Sequence, residues 1–310
     1  MADALDLGSS VFGRGGSSPL SRTIHKKLAY ANFFYTFFGG ETMKWQRIII
    51  AITIIPILLL IYNYIQISMV YINKVKLSAG KINKKIKITQ ISDYHSNKYI
   101  NKNKLLKKIT DFDSDIIVLT GDIIDFKTID LAPTLELVEN IVKINKDTYF
   151  VSGNHEMKSI LYKEFLKDIE DLGVKILDND KTTININDEE INLLGLSFYS
   201  TQDNYNNVIK DIDSKNYTIL LSHSPNRPIS FLSGKEDLIL SGHTHGGQVR
   251  LPIIGSLIAP GQGFRPKYDK GIYKIENTTL YIDSGLGNSV YPIRSFNRVQ
   301  ISNITIEPGE

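Results

Sequence analysis

Five short apolar, β-branched runs in this chain each give way to Asp, Asn or His. Ile86–Ile91 leads into Ser92-Asp93-Tyr94-His95, and Ile116–Thr120 into Gly121-Asp122-Ile123-Ile124-Asp125. Thr148–Val151 leads into Gly153-Asn154-His155-Glu156, and Tyr217–Leu221 into Ser222-His223. Asp237–Leu240 leads into Ser241-Gly242-His243-Thr244-His245-Gly246-Gly247-Gln248. Such runs read as buried strands. Open α/β sheets build their sites where strand ends feed one rim, so the fold has to bring these five ends together. Lys102–Phe112, Pro133–Ile144 and Lys158–Leu172 have helical periodicity, with Pro133 near a start and Gly173 at a stop. Later segments read as hairpins, around 188–190 and across Asn277, before a final strand, Arg298–Glu307. The expectation is α/β: a layered sandwich of two mixed sheets with helices outside.

Of six histidines, only His25 lies away from these strand ends. His243 and His245, two residues apart on extended backbone, can face one point, and flanking glycines leave room beside them. A single such histidine is more often structural; five at strand ends, with matching Asp and Asn, point to a shared metal centre. The chain has no cysteine. That excludes disulfides and thiolate ligands and requires N and O donors, which suit Mn, Fe or Zn. A net charge of +3 over 310 residues gives no argument for a nucleic-acid partner.

Residues 1–42 differ in composition from the rest, being rich in Gly, Ser, Ala and Phe. They read as an extension, added or disordered, ahead of a translation start at Met43. Ile48–Tyr62 carries no charge and the low polarity runs on to Ile72, so 43–72 reads as one transmembrane anchor. Trp45 stands at one end and Tyr62, Tyr64 and Tyr71 toward the other, as interfacial aromatics do. A cleaved signal peptide is the rival, disfavoured by the length of the run and the poor match at Leu77-Ser78-Ala79. Residues 73–80 read as a basic linker and 81–310 as the catalytic domain. Lys74, Lys76, Lys81, Lys84, Lys85 and Lys87 outnumber Lys44 and Arg47, which leans the domain toward the cytoplasm. Counting Arg14, Arg22, Lys26 and Lys27 removes that lean. The expected location is the cell membrane, crossed once.

With the five blocks in this order, the chain resembles the calcineurin-like metallophosphoesterase superfamily. The run Gly242-His-Thr-His-Gly-Gly-Gln-Val-Arg-Leu-Pro252, with Gly285-Leu-Gly-Asn-Ser289, Pro292 and Arg294, is similar to its membrane-anchored bacterial branch. The resemblance implies a four-layer sandwich, preceded here by the single membrane helix. It implies two divalent ions, with Asp93, His95 and His245 on the first, Asn154, His223 and His243 on the second, and Asp122 bridging. A shared carboxylate offsets the repulsion of two close dications, and neutral Asn154 leaves the site net positive for phosphate. His155 is implied to approach the substrate rather than a metal, with Asp125 orienting it. The implied reaction is attack of a metal-bridging hydroxide on a phosphodiester, pyrophosphate or phosphomonoester.

Arg250 and Arg294 are candidate phosphate contacts because guanidinium pairs with phosphate at two points; a surface role is the alternative. Glu156 reads as ordering its loop. Asp283-Ser284-Gly285 stands where relatives often carry Ser-Arg-Gly, and Phe296–Gln300 lacks the usual Pro-Pro-Glu; both departures bear on substrate identity. Some relatives cleave the pyrophosphate of UDP-diacylglucosamine, so a lipid-linked substrate is implied by analogy. The rival class is a non-hydrolytic membrane scaffold that kept the fold. Such scaffolds usually lose ligands, and here the full set is present. Oligomeric state is not legible.

Overall fold

The computed structural model describes residues 19–289 and 291–309, with side chains from Met43 on; residues 1–18 of the N-terminal extension lie outside the described residues. The chain divides into two compact units, Met1–Leu60 and Ile61–Glu310. Helix α1 (Pro19–Ser68) runs through the first and ends in the second. The most apolar stretch of its segment Met43–Ser68 reaches a mean hydropathy of 2.5 with none of it buried, and the segment is long enough to cross a membrane.

The second unit continues with β1 (Tyr71–Ala79), β2 (Ile86–Ile91), α2 (Lys102–Phe112), β3 (Ile116–Leu119), α3 (Ala132–Ile144), β4 (Thr148–Phe150), α4 (Asn154–Lys158), α5 (Tyr162–Asp171) and β5 (Lys175–Ile176). Then come β6 (Asp180–Ile186), β7 (Glu189–Leu196), α6 (Gln202–Ile209), β8 (Tyr217–Ser222), α7 (Asn226–Phe231) and β9 (Leu238–Ser241). Two small hairpins follow, β10 (Arg250–Leu251) with β11 (Gly255–Ser256) and β12 (Ile258–Ala259) with β13 (Gly263–Phe264). The unit closes with β14 (Gly271–Ile275), β15 (Thr278–Ile282) and β16 (Gln300–Pro308).

Two six-stranded sheets result, ordered β1-β16-β2-β3-β4-β5 and β14-β15-β9-β8-β7-β6. In the first, β2 to β5 are parallel; in the second, β7, β8, β9 and β15 are parallel, with antiparallel edges. The period-two alternation of strand side chains sorts residues between layers. Ile116 and Val118 turn to the other sheet, where Ile219, Leu221, Leu238 and Leu240 meet them. Ile117 and Leu119 turn outward to Leu105, Ile109, Leu137 and Phe165 of α2, α3 and α5. On the far side, Leu220 and Ile239 pack with Tyr205 and Val208 of α6. The architecture is therefore four layers, helix–sheet–sheet–helix, with both sheets buried on both faces, which is why their strands are continuous apolar runs.

Local chemistry sets the helix ends. Asn101 accepts the Lys104 N–H at 3.0 Å and caps α2, while Leu105 and Ile109, one turn apart, bury its inner face. Thr201 and Asn204 form a capping box at α6.

Three boundaries differ from the sequence reading. Residues 73–80 are not a linker, because Tyr71–Ala79 forms β1, parallel to β16 at a sheet edge. Lys74 and Lys76 point out in alternation with buried Val75 and Ala79, so the lysines conceal a strand. For the same reason the helix stops at Ser68 and does not reach Ile72. The helix expected over 158–172 is broken, since Ser159 is extended and its Oγ accepts the Leu161 N–H at 3.1 Å ahead of α5.

Candidate metal centre

The parallel strands of both sheets end on one rim. Asp93 and His95 follow β2, Asp122 follows β3, and Asn154 opens α4 after β4. From the other sheet, His223 follows β8, and His243 and His245 follow β9. Cross-sheet hydrogen bonds hold the two halves together. Gln90 Nε2 donates to the Ser241 carbonyl at 2.9 Å, and the His243 N–H donates to both Asp93 oxygens at 3.1 Å.

Donor atoms of Asp93, His95 and His245 lie within 4.8 Å of one another, as do those of Asp122, His223 and His243, and those of His95, Asp122 and His155. Asp122 joins the groups: its Oδ2 is 3.0 Å from His223 Nε2, 3.7 Å from His95 Nε2 and 4.0 Å from His155 Nε2. The His223 Nδ1 donates to the Thr120 carbonyl at 2.8 Å. A carbonyl only accepts, so this bond fixes the tautomer and turns Nε2 inward. Asp125 lies behind the cluster, its Oδ2 at 3.0 Å from His155 Nδ1 and 3.5 Å from His95 Nδ1.

The backbone is unusual here. Asp93, His95, Asp122, His243 and His245 all have φ between 49° and 68°, a left-handed conformation that costs non-glycine residues roughly 1–3 kcal/mol each. Tight packing imposes it. A Cβ on Gly153 would fall 2.2 Å from Asp122 Oδ1, and one on Gly242 1.8 Å from Ser92 Oγ. Both positions must be glycine for the ligand loops to close this near each other.

Electrostatics separates the groups. Burial opposes charge on Asp122, but His223, then His95, hold its carboxyl well below the carboxylate range. Burial likewise opposes charge on His223, and Asp122 outweighs it, pushing His223 up to about 10. Burial and then the neighbouring His223 push His243 down to about 3. Burial and then His95 push His245 well down. Burial works against charge on Asp125 too, and its bond with His155 holds it low.

The donor set fits hard or borderline divalent ions. Both ring nitrogens of His95, Nδ1 of His245 and Oδ1 of Asn154 are buried without a hydrogen-bond partner. Buried polar atoms left unpaired cost about 1–3 kcal/mol each, and these belong to three of the candidate ligands at the rim. All are N and O donors, as Mn, Fe or Zn requires.

Arg250 and Arg294 do not join this cluster. Arg250 Nη1 pairs with Asp269 Oδ2 at 2.7 Å and donates to the Gly246 carbonyl at 2.9 Å. Arg294 is buried, its donors committed to the carbonyls of Ser284 (2.7 Å), Gly287 (3.1 Å from Nε) and Asn297 (3.3 Å). Both guanidiniums tie loops under the histidines; Arg294 has all three nitrogens engaged, whereas Arg250 is held through Nη1.

Two residues matter more than the sequence showed. Glu156 accepts the N–H groups of Asp122 (2.8 Å), Ile124 (3.1 Å) and Gly153 (2.9 Å), and also that of Ile123. Asn297 donates to the His245 carbonyl at 2.7 Å, while its own N–H donates to Gln66 Oε1 at 3.1 Å. The Gly-Asn-His-Glu block pointed at Glu156; nothing local pointed at Asn297.

An α/β sandwich carrying a rim of clustered Asp, Asn and His donors defines a metal-dependent hydrolase class. The family model of the calcineurin-like phosphoesterases matches residues 86–247. The chain is 30% identical over 226 residues to the metallophosphoesterase YkoQ of Bacillus subtilis, covering 71% of this chain and 83% of that one. It is 24% identical over 242 residues to a transmembrane protein with metallophosphoesterase domain of Danio rerio, covering 72% and 53% respectively. Among solved structures it is similar to the NAD nucleotidase NadN of Haemophilus influenzae, with 16% identity and a TM-score of 0.48, covering 66% of this chain and 46% of that one. The chain belongs to the calcineurin-like phosphoesterase family, and it is a metal-dependent phosphoric ester hydrolase.

Proposed function

We propose that this protein is a membrane-anchored phosphoesterase with a pair of divalent ions, acting on a phosphodiester, pyrophosphate or phosphomonoester. The observation that carries the reading is Asp122, one carboxylate within 4.0 Å of histidines from both donor groups. In this reading Asp93, His95 and His245 would hold one ion and Asn154, His223 and His243 the other, with Asp122 available to both. When bound, such ions supply positive charge for the phosphate oxygens and bring a water into the pKa range of a nucleophile.

The protein's own groups do the rest. His155 is the rim histidine left outside both ligand sets, half-buried with Nε2 toward Asp122. Burial opposes its charge, and the bond to Asp125 raises its pKa. Asp125 thus keeps a proton on Nδ1 and leaves Nε2 to hold or give one at the departing oxygen. The fourfold Glu156 contact keeps the 122–124 and 153 amides in place beneath the ligands. The apolar segment Met43–Ser68 supplies the anchor, and the substrate reading is a phosphate ester presented at or near a membrane.

Activity on a chromogenic bis-ester and mono-ester, measured after chelation and return of Mn(II), tests this. Asp122→Asn and His155→Ala are each expected to lower kcat/KM at least about a hundredfold, the scale of a lost general acid. Full activity in the doubly substituted protein would exclude the mechanism. Failure of the unaltered protein on both esters, with tight binding to a protein partner, would favour a scaffold.

A further inference from the structure

The hairpins between β9 and β14 serve no role in the chemistry above, yet they expose large apolar side chains. Ile253 is fully exposed at the tip between β10 and β11, Ile254 beside it is 61% exposed, and Phe264 on β13 is 70% exposed. These do not stand alone. Val249 bridges to Ser295, and Arg250 N–H donates to the Ser295 carbonyl at 2.9 Å. Gln248 Nε2 donates to the carbonyls of Tyr291 and Ile293, both at 3.0 Å. This second segment exposes Tyr291, Ile293 and Phe296, each by more than half. It is tied in turn to the start of the same unit: Asn63 Nδ2 donates to the Pro292 carbonyl at 2.9 Å, and the Phe296 N–H donates to the Tyr62 hydroxyl at 2.8 Å.

Two sets of ties thus join Tyr62, through residues 291–296, to the hairpin that carries Ile253, and exposed apolar residues mark the line. Scattered apolar residues on a surface need no explanation, but a connected set does. Exposed Arg265 and Lys267 follow Phe264 directly. Apolar tips flanked by cations are the pattern of a surface that sinks side chains below phosphate headgroups and keeps charge among them. Tyr62 is itself part of the apolar segment Met43–Ser68, one residue after Ile61, where the unit begins.

We propose that the face formed by the 249–265 hairpins and residues 291–296 docks on an anionic lipid bilayer. Ile253, Ile254 and Phe264 enter the acyl boundary, and Arg265 and Lys267 meet anionic headgroups. The proposal rests on the anchoring in the functional reading above but not on its chemistry. The docked face also walls an open cleft of about 440 Å³, lined by Leu257, Ile258 and Pro260, which reaches His245. Docking would therefore bring the cleft to the bilayer surface.

The full chain tests this, because its one tryptophan, Trp45, can be moved. With Trp45→Phe, Ile253→Trp is placed in phosphatidylcholine–phosphatidylglycerol vesicles, with or without bromine on the acyl chains near the headgroup, and the vesicle-bound fraction is isolated by flotation. Brominated lipid is expected to lower the emission at least twofold. The same exchange at Asp188, exposed in the β6–β7 turn, should give no lipid quenching. Arg265→Gln with Lys267→Gln should reduce the quenching at position 253 in anionic vesicles. Equal emission from position 253 in brominated and plain vesicles would overturn the proposal. So would protection from aqueous iodide without lipid quenching, which would identify a second copy of the chain as the occupant. The readout needs no catalysis, so failure of the hydrolytic reading leaves it intact.

Discussion

At the scale of single residues, the centre is a set of strained backbones held by unstrained neighbours. Five candidate ligands adopt left-handed φ, and Glu156 holds the loops that carry Asp122 and Asn154 through four amide bonds. Both its oxygens accept, two N–H groups apiece, so an amide in its place must aim donors at donors. Glu156→Gln is expected to destabilise the fold by about 2–3 kcal/mol, the cost of stranded buried amides. Urea denaturation of the metal-free protein measures this, and an unchanged midpoint would mean that the four amides do not depend on Glu156. The ligand residues themselves were legible, because Asp, Asn and His stood at the ends of apolar runs. Their backbone conformation was not. It arises from contacts such as Gly153 against Asp122 and Gly242 against Ser92, made between segments far apart in the chain.

At the scale of elements, the last turns of α1 are part of the catalytic unit. Gln66 is buried, accepts the Asn297 N–H through Oε1, and accepts the Val299 N–H through its carbonyl. Asn297 then holds the His245 carbonyl. This two-bond relay runs from the last turns of α1 to a candidate ligand. Gln66→Ala is expected to weaken divalent-ion affinity about three- to tenfold, below the 10–100-fold range for direct partners of ligands. Calorimetric titration with Mn(II) on the detergent-solubilised protein checks it; wild-type affinity would mean the relay is only a fastening. Sequence patterns could not reveal this, since Gln66 sits inside a run that reads as membrane helix. For similar reasons β1 was hidden, its inward Val75 and Ala79 alternating with lysines that suggested a basic linker. The strands buried on both faces were the easiest to recognise, because nothing polar interrupts them.

At the scale of the whole molecule, the two sheets meet along the core between them and at the rim, with further ties such as Lys81 to Asp237 at the opposite end. An ion shared across that rim binds the folded state and not the unfolded chain, so occupancy adds stability by mass action. At a free concentration one hundred times Kd, the gain is about 2.7 kcal/mol per site. Chelation is expected to lower Tm by several degrees, with recovery on adding Mn(II), and His223→Ala should abolish much of the difference. Scanning calorimetry with and without chelator measures both. A Tm indifferent to divalent ions would mean that the sheets close without help from the rim.

The position of β16 has a consequence for the order in which such a protein is made. Residues 300–308 slot between β1 and β2, so the strand that presents Asp93 is paired on one side alone, with β3, until that late stretch leaves the ribosome. By then the apolar helix has long since emerged and can already have partitioned into lipid. Under the proposed anchoring, the nascent chain would therefore be tethered before the sheet that carries Asp93 is complete.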